Sequence, residues 1–233
     1  MISEVAVPGA ARAAPGDTPI GYQLKSHVRA CIDGDSVVFL DLRRDRYWSA
    51  ALDAAPRISG LTHKAGVSNV KTARLIALDL IEANEGAAAT FDARPRAPEV
   101  KIDFSRNVRT SLSEQAWFWL ACASASHALR TRRLDLTLAS LDARKRRLRA
   151  ARVAAHDAVG AFEALRPWYP HKRVCLFDAL ALAHFLVSQG VSPDLVFGVR
   201  TAPFAAHCWI EIDGALAGDA SDHCASFTPI AWV

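Results

Sequence analysis

Residues 174–214 read VCLFDALALAHFLVSQGVSPDLVFGVRTAPFAAHCWIEIDG, and the fold class turns on a change of period inside them. From 174 to 189 the run is apolar, interrupted by Asp178 and His184, and Gly190 stands where a left-handed residue closes a helix. The spacing therefore predicts a helix over 174–189. Beyond it the period falls to two. Leu195, Phe197 and Val199 alternate in one strand; in the next, His207, Trp209 and Glu211 share a face while Cys208, Ile210 and Ile212 take the other. Asp213-Gly214 is a hairpin signal leading into a third strand over 215–220.

Upstream, 113–129 reads as a helix with Glu114 in its first turn, 134–152 and 154–165 are also helical, and Pro167 and Pro170 stop the run. The C-terminal unit, 109–233, is thus helices first and antiparallel sheet second. Residues 86–107, GAAATFDARPRAPEVKIDFSRN, lack periodicity and carry Pro95 and Pro98, which predicts an exposed linker, placed over 89–108. Before it, Leu24, Val28, Ala30 and Ile32 alternate with polar neighbours. Asp33-Gly34-Asp35 turns into an apolar strand over 36–42, and 43–46 turns again into Tyr47-Trp48. A short helix is expected over 51–61. A second, N-capped at Asn69, has Val70, Ala73, Leu75, Leu78 and Ile81 on one stripe and ends before Gly86. The fold class read from the pattern is α+β: a small winged-helix-like domain over 21–88, built as a three-stranded antiparallel meander plus helices, followed by the larger unit. Residues 1–20 read as a disordered tail.

With 233 residues, 51% of them hydrophobic and 22% charged, the chain carries enough apolar material for a packed core, which excludes an intrinsically disordered protein. The N-terminal stretch contains Glu4, Asp17 and prolines, unlike a signal or transit peptide, and the 14-residue run 174–187 is too short and too polar for a bilayer span. A cytoplasmic protein with reduced thiols is expected, since five scattered cysteines form neither a C-x-x-C pair nor a disulfide framework. The net charge of +4 is concentrated. Residues 129–152 hold eight Arg and one Lys against Asp135 and Asp142, a local +7. Without aromatic interleaving that segment does not read as a nucleic-acid surface; it reads as a solvated helix face, or as a dock for an acidic partner through Arg144, Arg146, Arg147 and Arg149.

Cys175 falls in the first turn of the predicted helix, where unpaired amides and the helix dipole stabilise a thiolate, and His171, Lys172 and Arg173 act in the same direction. His207, on a strand, is rigidly aimed. Asp219, on the returning arm of the hairpin, is the candidate carboxylate to fix its tautomer, with Asp222 a substitute and Asp213 poorer because it lies in the turn. A regular two-residue turn would set Asp219 opposite Cys208, on the wrong face, so this grouping predicts a three-residue loop or a bulge, which Gly214 and Gly218 would tolerate. His207-Cys208 and His223-Cys224 are the competing zinc ligands. Adjacent strand residues face opposite ways, so each pair offers one ligand to a common site, and no metal site is expected. No phosphate-binding loop and no serine-hydrolase elbow occurs.

The ordered Cys175, His207 and Asp219, with the run Pro203, Phe204, His207, Trp209 and Glu211, resemble the transglutaminase-like cysteine protease of lasso-peptide (microcin-type) maturation, the B protein, over the last 125 residues or so. Cys208 departs from that pattern, where a small residue such as Ala would be expected. The resemblance implies a papain/transglutaminase-like fold and a leader peptidase with Cys175 as nucleophile, His207 as acid–base and Asp219 as orienter. Residues 20–88 resemble the PqqD-like leader-recognition element of ribosomal peptide biosynthesis. That implies a leader strand added beside the third meander strand, contacting Tyr47, Trp48, Ser49, Leu75 and Leu78. The implied partners are the precursor peptide and an ATP-dependent, asparagine-synthetase-like lasso cyclase; no cofactor is expected in this chain, ATP use belonging mainly to the cyclase. Two other classes share these residues: a non-catalytic protein that presents the precursor, and a transglutaminase-type acyl transferase.

Overall fold

A computed structural model describes residues 21–51, 69–84, 94, 97–105, 108–148, 153–170 and 172–233. The expected tail, the helix over 51–61 apart from Ala51, and His171 and Arg149 lie outside the described residues. The strands are β1 (Gly21–Leu24), β2 (Val28–Asp33), β3 (Ser36–Asp41), β4 (Arg46–Ala51), β5 (Ile81–Asn84), β6 (Asp194–Thr201), β7 (Phe204–Ile212), β8 (Ala215–Ala217) and β9 (Thr228–Trp232). The helices are α1 (Asn69–Ala77), α2 (Leu112–Thr131), α3 (Leu134–Lys145), α4 (Ala155–Leu165), α5 (Cys175–Ser188) and α6 (Ser221–Ala225). The chain is a mixed α+β protein with antiparallel sheets ordered β2-β3-β4 and β8-β7-β6-β9, and a β1–β5 pair. Among the described residues no helix is long and apolar enough to cross a membrane.

α5 is apolar all round and buried along almost its whole length, the signature of a central helix. It packs between α2 and the inner face of the larger sheet, where Leu195, Phe197, Val199, Cys208, Ile210 and Ile212 join its core. The period-two pattern sends Val196, Trp209 and Leu216 to the opposite face, against Cys224 and Phe227. α2 begins at Leu112 under a Ser111 cap: the Glu114 amide donates to Ser111 Oγ at 3.2 Å, and the Ser111 amide donates to Glu114 Oε2 at 2.6 Å.

The meander forms as expected, but both its faces are buried. Val28, Ala30, Val37 and Phe39 pack with Leu75, Leu80 and Ile81, whereas Val38, Leu40 and Leu42 belong to the same core as α2 and α5. This accounts for the unbroken apolar run in β3, which strict alternation does not explain. Asp33 at the end of β2 fastens the two parts, accepting from the Thr201 amide at 2.8 Å, Thr201 Oγ1 at 2.7 Å and Thr228 Oγ1 at 2.7 Å.

Two local expectations change. The helix beginning at Asn69 ends at Ala77, and Ile81 lies in β5, paired with Leu24 of β1. Asp79, at φ +63° and bound to Lys25 at 2.8 Å, turns the chain so that the backbone of β1 gains a partner. Part of the expected linker is docked: the Ile102 amide donates to Leu216 O at 2.8 Å, the Leu216 amide donates to Val100 O at 2.9 Å, and Ala97 is buried under the sheet. Within the basic segment Lys145 pairs with Asp194 at 2.9 Å, Arg146 with Asp142 at 2.6 Å and Arg133 with Asp135 at 2.9 Å, Arg144 lies beside His184 at 3.1 Å, and Arg133 and Arg146 remain exposed.

Candidate active site

Cys175 is the first residue of α5. The turn that presents it is pinned by Asp178, which accepts from the Val174 amide at 3.1 Å and from the buried Arg166 guanidinium. Facing it, β7 brings His207, and β8 stops at Ala217, opposite Ile210. The edge of β7 is therefore bare of β8 at His207 and Cys208, and the start of α5 fills that gap. The hairpin has the regular two-residue turn, with Ile212 opposite Ala215, Asp213 at φ +50° and Gly214 at φ +77°. The predicted three-residue loop or bulge is thus corrected. Gly218, at φ +77°, ends the ladder instead and swings Asp219 to His207, whose Nε2 lies 2.7 Å from Asp219 Oδ2. Asp219 is steadied by the Ala220 amide at 2.6 Å.

With Nε2 on Asp219, Nδ1 is left for Cys175. Hydrogen bonds from the Cys208 thiol and from His207, helped by the Cys208 amide, hold the Cys175 thiol down at about 4 despite partial burial. Burial opposes charge on His207, yet its bonds to Asp219, Cys175 and Cys224 raise it to about 11. At neutral pH the pair is a thiolate and an imidazolium. Burial works against ionisation of Asp219, but its bond to His207 keeps it below the usual carboxylate range. The groups border a cavity of about 310 Å³, whose wall also carries Glu163, Arg173 and His223.

The aromatic neighbourhood explains the spacing of His207, Trp209 and Glu211 on one strand face. The Trp209 ring lies 6.0 Å from that of His207 and nearly parallel to it, and its Nε1 donates to Glu211 Oε1 at 2.8 Å. Glu211 is in turn paired with Arg94. Gly198, directly across the ladder from His207, makes room: a Cβ there would come within 2.6 Å of the Trp209 ring.

Of the two His-Cys pairs weighed as competing zinc ligands, one member of each does converge. His207, Asp219 and Cys224 offer ligand atoms all within 4.8 Å of one another. The 2.7 Å contact between His207 and Asp219 is a hydrogen bond, however; two bonds of about 2.0–2.2 Å to one ion would hold those atoms roughly 3.3 Å apart.

The remaining expected residues separate into two places. Trp48, Leu75 and Leu78 meet in the small cluster on the outer face of the meander. Tyr47 points to the other face, into the shared core, with its ring 5.8 Å from that of Phe204 on β7; Ser49 is exposed. Asp222 is exposed on α6. Sequence reading missed the three-sulfur grouping: Cys175 and Cys208 line one cavity with His207, and Cys224 lies within 4.8 Å of the ligand atoms of His207 and Asp219, although the three are far apart in the chain. The adjacent His-Cys pairs were the available signal.

Cys175 at a helix start thus meets His207 on a strand, and the sequence profile of the transglutaminase-like superfamily matches residues 116–232. The chain belongs to that superfamily. A 49-residue stretch, 21% of this chain, is 43% identical to the microcin J25-processing protein McjB of Escherichia coli, and it spans 24% of that protein's length. No solved structure matches.

Proposed function

We propose that the chain is a leader peptidase in lasso-peptide maturation, binding the leader of a ribosomally made precursor and cutting it from the core peptide at Cys175. The observation that carries this reading is the alignment of a Cys175 thiolate, His207 and Asp219 around one cavity, in a chain partly similar to a microcin-processing protein. The Cys175 sulfur attacks the scissile carbonyl, and the Cys175 amide at the start of α5 helps hold the oxyanion. His207 Nδ1–H protonates the leaving amine, forming a thioester; the neutral imidazole then draws a proton from water, which releases the acyl group. Asp219 is the positioning residue that keeps Nε2–H engaged.

Leader capture falls to a winged-helix-like recognition unit over 21–88. β4 is the outer strand of its sheet among the described residues, so an extended leader can add there by main-chain hydrogen bonds. Its alternate side chains then meet Trp48, Leu75 and Leu78 on one side and Ser49 and the edge of Tyr47 on the other. Because the meander shares a core with the catalytic sheet, capture and cutting are held at a fixed separation, a firmer coupling than a flexible tether supplies. The released core peptide passes to an ATP-dependent, asparagine-synthetase-like cyclase.

The test is a mass assay of purified protein with a leader-plus-core precursor, with and without the cyclase, for wild type and Cys175→Ala. Cleavage at one bond that vanishes in Cys175→Ala while leader binding persists is expected. Cleavage that survives the substitution, or binding without cleavage under every condition, overturns the reading. Incorporation of an added primary amine in place of water would reassign the site to acyl transfer.

A further inference from the structure

Three of the five cysteines gather at one histidine, and the transfer chemistry uses only Cys175. Cys208 is the informative one. It is 4% exposed to solvent yet borders the active-site cavity together with Cys175, which packs against the same buried cluster. Cys224 does not line that cavity; its sulfur lies within 4.8 Å of the ligand atoms of His207 and Asp219.

We propose that Cys208 is a resolving cysteine: when a peroxide oxidises Cys175, Cys208 closes a Cys175–Cys208 disulfide that holds the protein in a reversible, inactive form. The inference rests on the two cysteines lining one cavity wall and not on which acyl acceptor the site uses.

The steps balance with a peroxide as the only oxidant. The Cys175 thiolate attacks one oxygen of hydrogen peroxide; the S–O bond forms, the O–O bond breaks, and the departing hydroxide takes the imidazolium proton of His207 and leaves as water. Sulfur is oxidised to the sulfenic acid and peroxide oxygen is reduced. His207 is now a neutral base. The negative charge on Cys175, which with burial had kept the proton on Cys208, is gone. His207 accepts the Cys208 proton, the Cys208 thiolate attacks the Cys175 sulfur, and hydroxide leaves with that proton as a second water. Burial of Cys208 against the core keeps it from competing for oxidant, and its place on the same cavity wall as Cys175 gives it first access to the sulfenic acid.

The experiment treats the full chain with a small excess of hydrogen peroxide and reads intact mass, non-reducing peptide maps and iodoacetamide reactivity of Cys175. For wild type we expect a loss of about 2 Da, a peptide linking Cys175 to Cys208, and full return of Cys175 reactivity with dithiothreitol. Cys208→Ala, with Cys208→Ser as a second variant should the first fold poorly, should instead gain about 32 Da at Cys175. Its recovery of reactivity should fall about tenfold or more, each protein being normalised to its own untreated rate. Cys224→Ala should still form the link. Wild type that passes straight to the sulfinic acid, or that links Cys175 to Cys224, overturns the proposal. None of these readouts needs the peptide substrate, so failure of the peptidase reading would leave them unchanged.

Discussion

Asp219→Asn replaces a carboxylate by a group of the same shape, and so removes charge from the His207 contact while keeping its geometry. The 2.7 Å bond between His207 and Asp219 is charge-assisted and partly buried. Hydrogen bonds to charged groups contribute about 1.5–3 kcal/mol, and about 1.4 kcal/mol corresponds to one pH unit. Losing the charge should therefore lower the His207 titration from about 11 by about 1–2 units. Cys175 keeps its bonds from the Cys208 thiol and amide, so its own titration near 4 should rise by less than about one unit.

The assay is the rate of iodoacetamide alkylation of Cys175 against pH, read by peptide mass. Below the first inflection Cys175 is a thiol and reacts slowly. Between the two inflections it is a thiolate paired with imidazolium, and above the second it is a thiolate without that partner. Burial pushes Cys31 and Cys122 up to about 12, so they remain thiols across most of the range. In Asp219→Asn the second inflection should fall to about 9–10, with the first nearly fixed. A shift of less than about half a unit, or an equal shift in Asp222→Asn, would refute the role given to Asp219.

Four further outcomes are expected. Gly198→Ala places a Cβ within 2.6–2.8 Å of the Trp209 ring and Phe227, and urea unfolding should show a loss of about 1–3 kcal/mol. Gly218→Ala meets Glu163 Oε1 only at ordinary contact, 3.5 Å, so its cost of about 1 kcal/mol comes from the +77° backbone, and the second alkylation inflection should move as in Asp219→Asn. Asp33→Ala leaves the Thr201 amide and two hydroxyls without their acceptor; a stability loss of at least about 2 kcal/mol, measured in urea, is expected. β4 runs from Arg46 to Ala51 and Tyr47 abuts Phe204, so a leader strand that points its C-terminus at the cavity must add antiparallel. A photo-crosslinker at the C-terminal end of the leader should then mark Phe204, and the same label at the leader's N-terminal end should not.

The period change after Gly190 was enough to place α5, β6, β7 and the hairpin, because a helix buried on all sides and a sheet buried on both faces leave unmistakable apolar runs. Cys175 at a helix start and His207 on a strand were legible for the same reason: each is fixed by its own element. What the sequence could not carry was contact between elements. Nothing in β3 distinguishes a strand packed on its own helix from one packed on a second domain as well, so the docking of the meander and the turning of Tyr47 toward Phe204 became visible only in three dimensions. Ile81 shows the converse case, since helical spacing placed it on α1 while the unpaired backbone of β1 drew it into β5.

Asp219 is the instructive position. Register arithmetic was right that an unbroken hairpin would aim it away from His207, and it erred in assuming that the correction must lie inside the ladder. Ending the ladder is the simpler device. Once β8 stops at Ala217, Gly218 alone can redirect the chain, and the same ending exposes the β7 edge where Cys175 meets His207 and Cys208. One short strand thus sets both halves of the site. Lengthening β8 by placing a β-branched residue at Gly218 would therefore disturb the carboxylate and the thiolate together, whereas changes at Asp219 disturb only the first.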